Sequence, residues 1–138
     1  MKAKELMIGD WVKFPIGNDR IIDLPYVEGK GICASFSASA TLFPVPVSEI
    51  EPIPLTSEIL EKNGFVINRG PTSWKFETER EDLIDIYGCR DYHLSINIED
   101  THGSGKGYRW MLNDFVIYYV HELQHALRLF RIEKEIVL

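Results

Sequence analysis

A chain of 138 residues with 45 % apolar and 12 % aromatic content can bury a core of its own, so neither a metal nor a disulfide is needed to hold it together. Its formal charge of −6 runs against a duplex-binding surface, which neutralises phosphates with Lys and Arg. Cys33 and Cys89 form no C-x-x-C pair, no apolar leader follows Met1, and the longest apolar run, residues 115–120, is too short for a bilayer. A cytoplasmic protein with no membrane association is expected.

The first part of the chain reads as short strands between turn signals. Residues 10–14 alternate after Gly9, residues 20–24 follow Gly17-Asn18, residues 31–36 follow Gly29, and residues 41–45 make a fourth candidate. Prolines 44, 46, 52 and 54 make the next stretch extended or irregular. Residues 47–53 fit the closing turn and last strand of an SH3-like barrel, so a small β-rich lobe is expected over residues 1–55.

Thr56 predicts an N-cap for a short helix over residues 57–62, with Asn63-Gly64 as its stop. Residues 65–68, 73–78, 83–87 and 92–98 follow as strands, the last alternating strictly. Residues 108–112 are its expected hairpin partner across the loop 99–107. Asn113 or Asp114 then caps one long helix from Phe115 to about Arg131, and residues 135–138 could add an edge strand. The expected architecture is α+β: the β-rich lobe, a short helix, and an α+β lobe over 56–138, in which the long C-terminal helix packs across an antiparallel sheet.

That helix carries His121-Glu122-Leu123-Gln124-His125, an H-E-x-x-H sequence. In zinc peptidases this spacing puts two imidazole ligands on one helical face, with a general-base carboxylate between them. His121 and His125 are thus the candidate metal ligands and Glu122 the candidate catalytic base. The apolar stripe 116, 120, 123, 127, 130 places both imidazoles opposite the core, which is also where an amphipathic helix carries its solvated residues. A catalytic zinc needs a third protein ligand. The metzincin positions for glycine and histidine hold Arg128 and Arg131, while Glu133 and Glu135 lie on the same run of chain, and His93 or His102 would have to reach across from the sheet. A solvated helical face is the favoured reading. On it, replacing His121, Glu122 and His125 together should leave stability almost unchanged.

Other motifs are weaker. Gly103-Ser104-Gly105-Lys106-Gly107 lacks the leading glycine and the trailing Ser or Thr of a phosphate loop, and reads as a hairpin tip. Ser35, Ser37, Ser39, Cys33 and Cys89 have no nucleophile context. The aromatics Trp11, Trp74, Trp110, Tyr87, Tyr92, Tyr108, Tyr118 and Tyr119 read as packing. Arg128, Arg131 and Lys134 suit the negative pole of a helix.

Two stretches carry a resemblance: Ile53-Pro54-Leu55-Thr56-Ser57-Glu58-Ile59-Leu60-Glu61-Lys62-Asn63-Gly64-Phe65, and Val120-His121-Glu122-Leu123-Gln124-His125-Ala126-Leu127-Arg128-Leu129 with Lys134-Glu135-Ile136. They resemble small uncharacterised proteins of gut bacteria and their prophages or mobile elements. The resemblance implies a cytoplasmic accessory role and brings no cofactor or catalytic residue. The expected function is a non-enzymatic interaction module that binds a protein partner or itself, with no cofactor. The alternative is a zinc-dependent hydrolase using residues 121–125. Nucleic-acid binding through Trp11, Lys13 and Arg20 of the N-terminal lobe is a third, less favoured reading.

Overall fold

A computed structural model describes residues 1–37, 43–67, 73–79, 93–101, 109–112 and 115–138. They form a mixed α and β structure, with antiparallel sheets, one short helix and one C-terminal helix. The chain divides into two compact units: Met1–Pro54 with Tyr119–Glu135, and Leu55–Tyr118 with Ile136–Leu138.

The first unit begins with β1 (Trp11–Phe14), whose alternation buries Val12 and Phe14 and exposes Lys13. It is flanked by β2 (Gly17–Arg20) and, after β3 (Tyr26–Val27), β4 (Gly31–Ala34) and β5 (Val45–Pro46), by β6 (Glu51–Pro52). β3, β4 and β5 make a second three-stranded sheet. The strand expected over residues 20–24 is divided. Its start belongs to β2, and beyond buried Ile21 an isolated bridge joins Asp23 to Ser35, the residue after β4. Among the described residues these sheets do not close into a barrel. Their core gathers Leu6, Val12, Phe14, Ile21, Ala34, Phe36, Val47 and Ile50, with the Phe14 and Phe36 rings stacked at 4.3 Å. Burying each larger side chain contributes roughly 1.5–3 kcal/mol.

The second unit opens with α1 (Ser57–Lys62), where Thr56 Oγ1 accepts from the Ile59 N–H at 3.3 Å, as the sequence anticipates. Gly64, at φ 86°, ends it. A five-stranded antiparallel sheet follows, built from β7 (Val66–Ile67), β8 (Ser73–Glu79), β9 (His93–Asp100), β10 (Trp110–Leu112) and β11 (Phe115–Ile117), in the order β11-β10-β9-β8-β7. The expected hairpin between β9 and β10 is present, with Trp110 opposite Asp100. Trp74 meets Trp110 edge-on at 5.3 Å, and Trp110 Nε1 donates to the Leu55 carbonyl at 2.9 Å. The strand expected at 83–87, the caps Asn113 and Asp114, and Tyr87, Cys89, Tyr92 and Tyr108 lie outside the described residues.

The helix expected from Phe115 is corrected. Residues 115–117 pair with β10 as β11, and α2 spans Val120–Leu129. An aromatic and two β-branched residues prefer the pleated sheet. The true start is Tyr119, in extended conformation, whose N–H donates to Glu122 Oε2 at 3.1 Å. Helix α2 belongs to the first unit, where it contacts β1, rather than to a lobe over residues 56–138. The edge strand expected at 135–138 does not form. Val137 instead gives its N–H to Asn63 Oδ1 at 2.9 Å and takes Asn63 Nδ2 on its carbonyl at 2.7 Å. No helix among the described residues is long and apolar enough to cross a membrane.

Candidate functional site

Helix α2 buries Val120, Leu123 and Leu127, as its stripe requires. It also buries His121 and Gln124, because the face expected to meet solvent is covered by the turn at residues 7–11. Gly9 makes that approach possible. It sits at φ 92°, and a Cβ there would lie 3.0 Å from an Arg128 guanidinium nitrogen.

Asp10 is the centre of the contact and is fully buried. Its carboxylate accepts the Met7 N–H at 2.7 Å, the His125 Nε2 proton at 2.8 Å and an Arg128 N–H at 3.2 Å. Three donor atoms thus converge on the buried carboxylate and Arg128 sets a positive charge against it, as burial of a carboxylate demands. Gln124 completes the clasp: Oε1 accepts from the Trp11 N–H and Nε2 donates to the Gly9 carbonyl, each at 2.9 Å. Arg128 also donates to the Ile8 carbonyl at 3.2 Å.

The motif residues are therefore brought together, but with structural partners. The Asp10 carboxylate engages His125 Nε2, so that ring nitrogen is taken up by a contact within the fold. Glu122 caps its own helix. His121 is 4 % exposed, stacked on Tyr119 at 5.8 Å and edge-on to His125 at 5.6 Å. Its Nδ1 is buried without a hydrogen-bond partner among the described residues. Burial pushes its pKa below the usual value, and His125 adds to that, while Asp10, Glu122 and Glu5 oppose it. Among the described residues no group of three or more His, Cys, Asp or Glu is placed to hold a metal ion. The expectation that these three residues form a solvated face is corrected: His121 is core, and His125 is bound to Asp10.

The cations nominated for nucleic acid are also engaged. Lys13 pairs with Glu51 at 3.0 Å, and Arg20 pairs with Glu135 and lies over the Trp11 ring. Ser35 belongs to a bridge, Ser37 donates to Asp19 at 3.0 Å, and Cys33 is buried. Ser39, His102 and the glycine-rich 103–107 segment lie outside the described residues, as does the side chain of His93. Sequence reasoning missed Asp10, Gln124 and Met7. An Asp after Gly at the entry to a strand was the visible signal, but its partners lie more than a hundred residues away in the chain. Compared with family models, curated proteins and solved structures, the chain matches none.

Proposed function

We propose that this chain is a non-enzymatic interaction module that binds a protein partner or a second copy of itself. The observation that supports this reading is the Asp10–His125 hydrogen bond of 2.8 Å. It commits the second imidazole of the motif to holding the fold, as Glu122 is committed to capping α2. Tyr26 and Ile32, cross-strand partners on β3 and β4, are 76 % and 44 % exposed, an aromatic and aliphatic pair of the kind that interfaces use. The accessory role in phage or mobile-element biology and the cytoplasmic location belong to the same proposal. So does the finer likeness to an SH3-like fold, supported by the 3-10 turn Val47–Glu49 leading into β6 and back to β1.

A second reading, a zinc-dependent hydrolase with His121 and His125 as ligands and Glu122 as base, draws on the buried Nδ1 of His121, which has no hydrogen-bond partner among the described residues. Two measurements on the full chain separate the readings. Elemental analysis of protein purified without added metal gives no stoichiometric zinc if the module reading holds. Sedimentation velocity across a concentration series shows association that Tyr26→Ser with Ile32→Ser abolishes, or a monomer that requires a separate partner. One zinc per chain, lost on His121→Ala and accompanied by hydrolysis, would replace the module reading with the enzyme.

A further inference from the structure

The two units interleave along the chain in a way that sets the order in which they form. The described strands of the second unit lie within Leu55–Tyr118, and Ile136–Leu138 joins it from beyond. The first unit is split, with its sheets before that stretch and α2 after it. The chain leaves and returns at one place. Within the second unit the Leu55 N–H donates to the Tyr118 carbonyl at 3.0 Å. Within the first, Pro54 bridges Tyr119, and the Val120 N–H donates to the Ile53 carbonyl at 2.9 Å.

A folded second unit is therefore a tight connection between β6 and α2, and an unfolded one is a long loose loop. The chance that loop ends meet falls roughly as the 3/2 power of length, so a free loop over 55–118 in place of about four residues disfavours closure roughly sixtyfold. A helix of ten residues has little stability alone, so α2 cannot wait preformed for its partner. The bonds that Gln124, His125 and Arg128 make to residues 7–11 all depend on its arrival.

We infer that the second unit is the scaffold and the first is conditional on it. The first unit is completed only while the 55–118 fold stands, and it opens as a separate, earlier step that leaves that fold intact. The clasp between residues 7–11 and α2 is the part of the molecule that releases first.

Native-state hydrogen exchange on the full chain tests this order with two mild substitutions. The readouts are the Ile21 and Ile22 amides in the first unit, which donate to Asp10 and Ser35, and the β9 amides in the second. Gln124→Ala weakens only the complete fold, so it speeds both sets by about tenfold or more. Ile98→Val weakens a contact that survives opening of the first unit, so it speeds the second set about fivefold and leaves the first unchanged. The opposite pattern, or each variant speeding only its own unit, would overturn the inference. So would both variants speeding both sets, which marks a single cooperative fold.

Discussion

Asp10 concentrates the physics of the first unit in one side chain. Its carboxylate is fully buried, whereas the His125 and Arg128 side chains that hold it are 29 % and 38 % exposed. Removing the acid leaves donors that water can partly reach, so Asp10→Ala should cost about 2–3 kcal/mol in urea unfolding, below the 3–5 kcal/mol typical of a fully buried pair. His121 predicts a pH effect of defined sign. Because burial lowers its pKa, the unfolded chain takes up the proton more readily than the folded one. The stability tied to the neutral ring is whole above the ordinary His value of about 6.5 and is lost as pH falls from there toward the lower folded value. His121→Phe keeps the stacking on Tyr119 and removes both the titration and the unpartnered nitrogen. It should stay within about 1 kcal/mol of the parent at pH 8 and flatten the acid-side loss in a pH series of unfolding curves. A variant that keeps the parent's slope would show that another group causes it.

At the scale of elements, local chemistry decided how much could be read in advance. Helix α1 was legible because its signals are contiguous: Thr56 caps, and Asn63-Gly64 stops. Thr56→Ala should therefore cost about 1 kcal/mol, seen as a lower urea midpoint with an unchanged slope. The β9–β10 hairpin was legible for the same reason, through the strict alternation of residues 92–98 ahead of a polar loop. The start of α2 was not. An apolar run without a strong breaker reads equally well as helix or strand, and pairing with β10 resolves it in favour of strand. The real cap signal, Glu122 three residues after Tyr119, was in the sequence but hidden inside a motif that invited a metal reading. His121 and His125 were correctly placed on one face. What covers that face depends on residues 7–11, and helical periodicity carries no information about a partner so distant in sequence.

At the scale of the whole molecule the chain passes between its units more than once, and Asn63 secures the last passage. After α2 the chain leaves the first unit, and Ile136–Leu138 joins the second, with Ile136 1 % exposed. Asn63, itself 3 % exposed, takes the Val137 N–H and gives its amide protons to the carbonyls of Ile59 and Val137. One side chain thus stops α1 and satisfies the backbone of a segment that forms no strand, the kind of accounting buried backbone groups require. Replacing Asn63 with Ala removes those three bonds while leaving the backbone groups in place. Two of the three involve Val137, which is near the surface and can recruit water, so the cost should be about 2 kcal/mol rather than the full sum of three buried losses. Asn63→Asp separates donor from acceptor: it keeps the acceptor for the Val137 N–H but sets a carboxylate against two carbonyls. It should therefore be less stable than Asn63→Ala, and the Val137 amide should exchange faster in both variants than in the parent. Equal stability of parent and Ala variant would mean that the apolar contact of Ile136, not Asn63, holds the end of the chain.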